Sequence, residues 1–190
     1  KTHLLQAIGH RIVERNPKIR VLYVTCEQFV NEFISAIRSQ NTKSLKDRYR
    51  TVDLLLIDDI QFITGKEGTQ EEFFHTFNTL HQAEKQVVFT SDRPPKAIAG
   101  LEERLRSRLE WGMIADVSSP DLETRVAILT SKCQERHIHL SRDILSTIAD
   151  LVVTNVRELE GALNKVVAYH EFKNISPTTE TVREALAGYS

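Results

Sequence analysis

Two adjacent aspartates, Asp58 and Asp59, end the most hydrophobic stretch of the chain, VDLLLIDDIQF at residues 52–62. Burial of an unpaired carboxylate is costly, and two neighbouring carboxylates repel each other. A bound cation would offset both costs. An apolar strand that ends in acidic residues is the pattern of a Walker B motif, in which one carboxylate holds Mg²⁺ and its neighbour can polarise a water molecule. The alternative is a strand that simply emerges into solvent at Asp58.

The chain opens with KTHLL, in which the Lys1–Thr2 pair stands directly before a predicted helix. Such a pair ends the P-loop motif G-x-x-x-x-G-K-[ST], whose lysine contacts the β- and γ-phosphates and whose hydroxyl reaches Mg²⁺. The pair alone is not specific, because the glycines of the motif are not among these residues. A P-loop joins a strand to its helix. We therefore expect a first strand and a glycine-rich loop to precede Lys1 in the natural protein, and a vacancy in the sheet beside residues 53–58.

Apolar periodicity predicts alternating strands and helices as far as residue 119, and helices alone after it. The predicted strands are at 21–26, 53–58, 86–91 and 113–117. The predicted helices are at 3–15, 27–38, 42–50, 70–84 and 97–109, with a polar loop at 64–69, and then at 121–137, 141–152, 155–170 and 178–187. Apolar strands separated by helices indicate a parallel sheet covered on both faces. We predict an α/β core at residues 1–119 and a small all-helical lid subdomain at 120–190.

Polar residues end two other predicted strands, at the sheet edge where parallel α/β folds bind ligands. Thr25 and Glu27 lie at the end of the first strand, and Thr90, Ser91 and Asp92 lie at the end of the third. Because the carboxyl ends of parallel strands meet at one edge, we expect these side chains to gather near the two aspartates. The pattern therefore predicts a polar site at this edge of the sheet.

Arg157 lies in the first turn of the predicted helix 155–170, whose Asn155 and Glu158 have the spacing of a capping box. A cation at this place opposes the helix dipole by ~0.3–1 kcal/mol. A phosphate near the helix would explain the arginine, because the anion would offset this cost. The alternative is a surface arginine that pairs with Glu160 or another acid.

Arg104 and Arg108 lie four residues apart, on one face of the predicted helix 97–109. Glu102 and Arg106 have the spacing of an ordinary surface ion pair, which predicts no further role for Arg106. Arg108 is near the helix end and could reach the nucleotide of a neighbouring subunit as an arginine finger, a group that accelerates phosphoryl transfer. The spacing alone leaves both this role and an ordinary surface position open for Arg108.

Composition and charge give no sign of a strongly basic nucleic-acid-binding protein or of a membrane-spanning protein. The 190 residues carry a formal net charge of −1, so any nucleic-acid binding must come from a local basic patch. No apolar run approaches the ~18–20 residues that span a bilayer, and the first residues do not resemble a signal peptide. Cys26 and Cys133 are far apart in the chain, and we predict reduced, buried thiols of an intracellular protein.

Aromatic residues also give two expectations. Phe73, Phe74 and Phe77 are spaced as one face of a helix, so we expect them to pack in the core rather than against DNA bases. Trp111 directly precedes the predicted strand 113–117, and we expect it to pack there. The chain shows no nucleophile and base arranged as in enzymes that hydrolyse esters or peptides.

With these residues in view, the sequence resembles the AAA+ ATPase domains of the DnaA family of bacterial chromosomal replication initiators. The likeness extends over the whole chain and is far more specific than a P-loop signature. The segments that carry it are KTHLLQAIG, VDLLLIDDIQF, TQEEFFHTFNTL, TSDRPP, LEERLRSRLEWG, PDLETRVAIL and NVRELEGALNKV. The resemblance implies the AAA+ P-loop NTPase fold, with a parallel sheet covered by helices and a helical lid.

The resemblance implies a site for ATP or ADP with Mg²⁺. Lys1 would be the Walker A lysine, and Thr2 would be the hydroxyl that binds Mg²⁺. Asp58 would hold the same Mg²⁺. Asp59 would orient the attacking water, at a position where many AAA+ proteins have glutamate. The shorter aspartate fits a slow ATPase that acts as a switch.

The resemblance also implies residues that read the nucleotide and control assembly. Asp92 would be the sensor I residue near the γ-phosphate, and Arg157 would be the sensor II residue of the lid. Arg108 would be the arginine finger for the nucleotide of the next protomer. Arg104 would support ATP-dependent self-assembly at the same subunit boundary.

A further implication is single-stranded DNA binding by the oligomer. Proteins of this family carry an insertion, here the helices at 27–38 and 42–50, that favours open helical assemblies and lines a DNA channel. The positions that match DNA contacts are Ile34, Lys66, Gly68 and Thr69. The family often has a basic residue where this chain has Gly68, which puts one phosphate contact in doubt. Additional basic residues lie at Lys43, Lys46, Arg48 and Arg50, although such a run is also typical of a solvated helix.

The implied function is ATP-dependent assembly on origin DNA and duplex opening, reset by slow hydrolysis, in the cytoplasm. A duplex-reading domain would begin beyond Ser190, and a replicative helicase, regulatory proteins and acidic membrane phospholipids are further implied partners. One alternative is an AAA+ helicase loader or a regulator of the initiator. Another is an interaction fragment that binds no nucleotide, because the phosphate-cradling loop is missing.

Overall fold

The computed structural model describes residues 1–188, and its backbone contacts divide the chain into two compact units, Lys1–Ala115 and Asp116–Ser190. The first unit alternates strands and helices. Its strands are β1 (Val21–Thr25), β2 (Leu54–Asp58) and β3 (Gln86–Phe89). Its helices are α1 (Thr2–Arg15), α2 (Cys26–Arg38), α3 (Thr42–Arg50), α4 (Glu67–Gln82) and α5 (Glu103–Trp111), with 3-10 turns at Ile60–Ile63 and Pro95–Ala97.

The three strands form a parallel sheet in the order β1-β2-β3. In the register, Leu55 of β2 pairs with Leu22 on one side and with Val87 on the other. The predicted parallel α/β architecture is therefore confirmed. The predicted vacancy beside residues 53–58 is wrong, since β2 has a strand on both sides.

Helices cover both faces of the sheet, as the apolar strands predict. On one face, Leu5 of α1 packs with Leu54 and Leu56. On the other face, the rings of the core include Phe29, which meets Tyr49 edge-on at 4.9 Å between centroids. All five residues of β2 are buried, including Asp58. The strand therefore delivers an acidic residue to a fixed position at its carboxyl end.

Gly9 is where α1 approaches the sheet most closely. A Cβ atom built on Gly9 lies 2.8 Å from Leu56 Cδ1 and 3.6 Å from Val21 Cγ1. We predict that Gly9→Ala lowers the free energy of unfolding by about 1–2 kcal/mol, because overpacking costs about 1–3 kcal/mol and exceeds the 0.5–1 kcal/mol roughly gained from helix propensity. Urea denaturation followed by circular dichroism measures the change. Gly112→Ala is the control, since no atom lies within 4 Å of its Cβ position; equal stability of the two variants would contradict the prediction.

Polar contacts hold α3 against its neighbours. The Tyr49 hydroxyl donates to Glu32 of α2 at 2.6 Å, and Arg50 pairs with Glu72 of α4 at 2.7 Å. The Arg50–Glu72 pair is largely buried, and the Thr76 hydroxyl also donates to Glu72. The predicted insertion helices α2 and α3 therefore form an integral part of the first unit.

The predicted strand at 113–117 is not formed. Residues 113–121 adopt no regular element, and Met113 is 95% exposed. Within residues 1–188 no backbone hydrogen bond joins this segment to the sheet, and an extended segment needs such bonds from a neighbouring strand. The apolar, β-branched composition of residues 113–117 is therefore not enough to form a strand without a neighbouring strand.

Two helices begin elsewhere than predicted. α4 begins at Glu67, so the polar loop is shorter than the predicted 64–69, and a glutamate in the first turn suits the helix dipole. α5 begins at Glu103 rather than near residue 97. Its predicted first turn is instead a 3-10 turn, Pro95–Ala97, followed by Gly100 at φ +74°, a conformation that glycine adopts without strain.

The second unit contains four helices in its described residues, α6 (Leu122–Glu135), α7 (Arg142–Leu151), α8 (Val156–Lys173) and α9 (Thr179–Ala185). They pack around a common apolar core that includes Ile148 and Leu163. The Asn155 side chain caps α8 by accepting from the Glu158 backbone at 2.9 Å, as predicted. None of the helices within residues 1–188 has the length and apolar character needed to cross a membrane.

Candidate nucleotide and assembly sites

Asp58 is the centre of the candidate site at the carboxyl end of β2. It is only 2% exposed, yet three hydroxyl groups reach its carboxylate. Thr2 Oγ1 donates to Oδ2 at 2.7 Å and the Tyr23 hydroxyl donates to the same oxygen at 3.1 Å. Thr90 Oγ1 donates to Oδ1. Thr2 and Asp58, which were both predicted to hold Mg²⁺, are therefore in direct hydrogen-bond contact.

The electrostatics of Asp58 favour the ionised form. Burial alone would raise the pKa of its carboxyl, but hydrogen bonds from Thr2, Thr90 and Tyr23 outweigh burial and lower the pKa. Burial and the nearby negative charge raise the pKa of the Tyr23 hydroxyl, which keeps it a donor. Asp58 is thus a buried anion whose partners are neutral hydroxyls. A carboxylate beside hydroxyl oxygens is the donor set that Mg²⁺ prefers, so these residues fit a magnesium ion.

Thr90 joins the two adjacent aspartates. Its hydroxyl accepts from the Asp59 backbone N–H at 2.9 Å while donating to the Asp58 carboxylate. Its carbonyl accepts from the Ile60 N–H at 2.9 Å. Asp59 itself has φ +58° and ψ +56°, a left-handed conformation that aspartate tolerates better than most residues. Contacts from the end of β3 therefore hold the turn that carries Asp59.

Lys1 and Asp92 lie at the same edge of the sheet. Lys1 Nζ donates to the Ser91 carbonyl at 2.6 Å. Asp92 forms an ion pair with Arg93 at 2.7 Å, and the hydrogen bond from Arg93 lowers the pKa of the Asp92 carboxyl. The structure therefore brings the predicted residues Lys1, Thr2, Asp58, Asp59 and Asp92 to one edge of one unit.

Sequence reasoning missed Tyr23. It placed Thr90 at this edge but did not foresee that its hydroxyl would bridge the two aspartates. Tyr23 had no sequence signal of its role, since it lies in the middle of β1 and its ring packs with the apolar face of the sheet. Thr25 lies at this edge as predicted, beside Asp58 in the register, but its side chain caps α2 by accepting from the Gln28 N–H at 3.1 Å.

The arginines of α5 have partners inside the first unit. Arg104 pairs with Glu102 at 2.8 Å, and its guanidinium carbon lies 4.9 Å from the centre of the Phe74 ring. The predicted Glu102–Arg106 pair is wrong: Arg106 instead pairs with Glu103. The difference arises because Glu102 is the N-cap residue of α5, outside the helical turn that the spacing assumed.

Trp111 does not pack on a strand, contrary to the prediction. It is the last residue of α5 and is 61% exposed. One side of its ring meets His81 at 4.6 Å between centroids, and the Arg108 guanidinium carbon lies 5.2 Å from the ring centre. The absence of a strand at 113–117 in the described structure explains why the ring stays at the surface.

The four predicted DNA-contact positions differ in accessibility. Ile34 on α2, Lys66 at the N-cap of α4 and Gly68 in its first turn are at the surface. Thr69 is only 4% exposed, so its side chain faces the interior. Gly68 lies beside Phe33 of α2, 4.0 Å from a Cβ position built on the glycine. The start of α4 and the face of α2 are therefore neighbours in the first unit.

Arg157 lies in the second unit, in the first turn of α8. Its side chain is exposed. Within residues 116–188 it has no hydrogen bond or ion pair, so the alternative of a pair with Glu160 is not supported. Glu160 instead pairs with Lys132 at 3.2 Å.

The fold and the site together indicate the class of protein. The chain has a parallel sheet covered by helices, a buried carboxylate at a strand end beside a lysine–threonine pair, and a following helical unit. These are the features of an AAA+ P-loop NTPase. RuvB of Thermotoga maritima has the same fold, with a TM-score of 0.69 over 96% of this chain and 57% of that chain, at 13% identity.

Comparisons with known proteins identify the family. The family model of the bacterial DnaA ATPase domain matches residues 1–116. The chromosomal replication initiator DnaA of Chloroflexus aggregans is 57% identical over 187 residues, which cover 98% of this chain and 39% of that protein. The chain from Herpetosiphon aurantiacus is 58% identical, with 98% and 40% covered. This chain belongs to the bacterial DnaA ATPase domain family, and it spans about two fifths of the length of these relatives.

Solved structures agree with the family assignment. Domain III of Thermotoga maritima DnaA has a TM-score of 0.94 at 38% identity and covers all of this chain and 79% of that one. A replication initiator DnaA bound to AMPPCP and single-stranded DNA has a TM-score of 0.76 at 31% identity, covering 97% and 66%. AMPPCP-bound DnaA from Aquifex aeolicus has a TM-score of 0.80 at 35% identity, covering 98% and 55%.

Proposed function

We propose that this chain is the ATP-controlled assembly module of a bacterial replication initiator. The observation that carries the proposal is the buried, ionised Asp58, whose carboxylate accepts from Thr2 Oγ1 at 2.7 Å at the sheet edge where Lys1 also lies. Hydrogen bonds from Thr2, Tyr23 and Thr90 keep this buried carboxylate ionised, and an ionised carboxylate can bind a cation. Its position at a ligand-binding edge supports a cation-binding function, and two DnaA structures with AMPPCP support an adenine nucleotide as the ligand.

The residues have distinct parts in holding the nucleotide. Thr2 and Asp58 would hold Mg²⁺, and Lys1 would meet the β- and γ-phosphates. When bound, Mg²⁺ supplies positive charge that stabilises the phosphoryl oxygens. Asp59, fixed by Thr90 and by a 3.3 Å hydrogen bond from Gln61 Nε2, would orient the attacking water. Asp92 would be the sensor I residue near the γ-phosphate, with Arg93 balancing its negative charge.

The assembly step would use three arginines. Arg157, which has no acidic partner within the described second unit, would bind phosphate from the lid side. Arg108 would engage the nucleotide of the next protomer as an arginine finger, and Arg104 would support the same boundary. The resulting helical oligomer would form with ATP and dissolve after slow hydrolysis to ADP, so that catalysis acts as a timer.

The assembled protomers would bind and stretch single-stranded origin DNA and thereby open the duplex. Ile34, Lys66, Gly68 and Thr69 are the proposed contact positions. The surface positions of Ile34, Lys66 and Gly68 support this assignment. Thr69 is the exception, because the whole residue is almost completely buried; it would support the surface at the start of α4 from beneath and would not touch DNA directly.

The remaining activities concern the longer protein to which such a chain would belong. We propose that duplex recognition resides in a domain beyond Ser190. Replicative helicase, regulatory proteins and acidic membrane phospholipids are proposed partners of the whole protein, and the cytoplasm is its proposed location. The family assignment favours this initiator function over that of a helicase loader.

We predict that Lys66→Ala weakens single-stranded DNA binding several-fold and reduces its salt dependence. Loss of one phosphate contact should make the slope of log affinity against log salt shallower by about 0.7. Fluorescence anisotropy of labelled oligothymidylate, with the full-length protein, AMPPCP and Mg²⁺ at several salt concentrations, measures both quantities.

Two further variants sharpen this test. Gly68→Lys should have the opposite effect, because the position is open and the added charge restores the basic residue frequent in the family. Lys18→Ala is the charge-matched control, since Lys18 is exposed before β1, at the amino end of the strands. The DNA assignment fails if Lys66→Ala and Lys18→Ala have the same affinity and slope.

A further inference from the structure

One face of α4 contacts α5 at the N-cap of α5, at Arg104 and at Trp111. Gln70, Phe74, Phe77 and His81 are spaced three or four residues apart and therefore form a single stripe. We call these four residues the α4 stripe. Its members contact the start of α5, Arg104 and, through Trp111, Arg108.

Gln70 sets where α5 begins. Its side chain is only 1% exposed, and both ends of the amide are bonded. Nε2 donates to the Gly100 carbonyl at 2.9 Å, and Oε1 accepts from the Glu102 N–H at 2.8 Å. Because Glu102 is the N-cap residue of α5, these two bonds fix the first turn of the helix that carries the arginines.

Phe74 holds the first arginine. The Arg104 guanidinium lies over the Phe74 ring at 4.9 Å and also pairs with Glu102 at 2.8 Å. A guanidinium held by a ring face and a carboxylate has few rotamers left. Arg104 is nevertheless exposed, so the contact orders a charged group at the surface.

Trp111 and His81 hold the second arginine. The Arg108 guanidinium lies 5.2 Å from the Trp111 ring centre, Trp111 lies 4.6 Å from His81, and His81 stacks on Phe77 at 6.1 Å. Trp111 is 61% exposed and contributes little to the core. The exposed indole therefore contacts both Arg108 and His81, a member of the α4 stripe.

We propose that the α4 stripe, with Trp111, is a positioning platform that orders Arg104 and Arg108 before the next protomer arrives. This inference rests on the proposed interface role of the two arginines. Ordering a flexible side chain in advance lowers the entropy lost on association and so strengthens binding. Phe74 and Trp111 are positioning residues in this scheme, because they act through the arginines and do not touch the nucleotide.

The test measures ATP-dependent assembly of full-length variants by sedimentation velocity with AMPPCP and Mg²⁺. Phe74→Leu and Trp111→Leu keep an apolar side chain and remove the ring face. Each should raise the concentration needed for assembly by roughly 3–30-fold, the range expected for loss of a cation–π contact. Phe74→Tyr and Trp111→Phe keep a ring and should recover most of the assembly. Nucleotide affinity and thermal unfolding of the protomer should not change for the Trp111 variants.

A double variant separates positioning from packing. If Phe74 acts through Arg104, Phe74→Leu combined with Arg104→Ala should assemble no worse than Arg104→Ala alone. Phe172→Leu is the matched control, because Phe172 is an exposed aromatic of the second unit. Two results would overturn the platform. One is that the assembly losses of Phe74→Leu and Arg104→Ala add in the double variant. The other is that the leucine variants assemble like the parent while Arg108→Ala does not. Should Phe74→Leu fail to fold, the surface variant Trp111→Leu decides. Normal assembly of Arg108→Ala would instead overturn the proposed interface itself.

Discussion

Arg108→Ala is expected to abolish ATP-dependent oligomers and to leave the affinity of the protomer for ATP nearly unchanged. Within residues 1–188 Arg108 has no acidic partner, and its ring contact to Trp111 leaves the guanidinium half-exposed. An arginine finger contacts the nucleotide of the neighbouring protomer and not that of its own protomer. Its loss should therefore leave the protomer's own affinity for ATP unchanged. Arginine fingers raise kcat by roughly 10³–10⁵-fold, so we also expect the assembly-stimulated ATPase to fall to the level of the isolated protomer.

Sedimentation velocity with AMPPCP and Mg²⁺ measures the oligomers, and isothermal titration measures the affinity for ATP. Arg106→Ala is the matched control. Arg106 lies on the same helix and pairs with Glu103, so its loss removes an equal charge from α5 without touching the proposed boundary. Unchanged oligomerisation of Arg108→Ala would refute the arginine-finger assignment.

Asp58→Asn is expected to remove the response of the protein to ATP and Mg²⁺. Asparagine has nearly the same size but removes the charge that accepts three hydroxyl hydrogen bonds. Because those hydrogen bonds lower the pKa of Asp58, the ionised carboxylate contributes stability at neutral pH, and we expect the ligand-free variant to unfold at a lower temperature. The stabilisation by ATP with Mg²⁺, about 2.7 kcal/mol at 100 times the Kd, should be lost. Hydrolysis should fall by about 100-fold or more, as when one charge-stabilising group is removed.

Asp53→Asn is the control for this experiment, because Asp53 lies just before the same strand, at its opposite end. Hydrogen bonds from the Lys85 side chain and the Arg20 backbone lower the pKa of Asp53 to about 2. A lowered pKa contributes stability above the unfolded value of ~3.9, and this contribution is lost as the pH falls towards 2. Asp53→Asn should therefore destabilise the protein at neutral pH but keep the full response to ATP. Thermal unfolding with and without nucleotide compares the two variants, and a full ATP response of Asp58→Asn would contradict the magnesium site.

The sequence alone predicted the features that depend on local pattern. The helices α1, α2 and α3 and the three paired strands lie within a few residues of their predicted bounds. Their apolar spacing and flanking residues act over one or two turns, so no distant contact was needed to recognise them. Because parallel strands present their carboxyl ends at one edge, the gathering of Asp58, Thr90 and Asp92 also followed from the pattern.

Features that depend on distant partners required the tertiary structure. Residues 113–117 have strand composition but acquire no strand neighbour, so Trp111 is at the surface against His81 and Arg108. The ion pair of Glu102 also depends on a distant residue. Gln70 fixes Glu102 as the N-cap residue of α5, and Glu102 pairs with Arg104 and not with the predicted Arg106.

The chemistry at Asp58 shows the same division. The sequence determined that an apolar strand ends in two aspartates and that a lysine–threonine pair opens a helix. Only the tertiary structure decided that Tyr23 and Thr90 would complete the hydrogen bonds to the buried carboxylate. Hydrogen bonds act over about 3 Å, and residues 32 and 35 positions away in the chain reach that distance only after the sheet has formed.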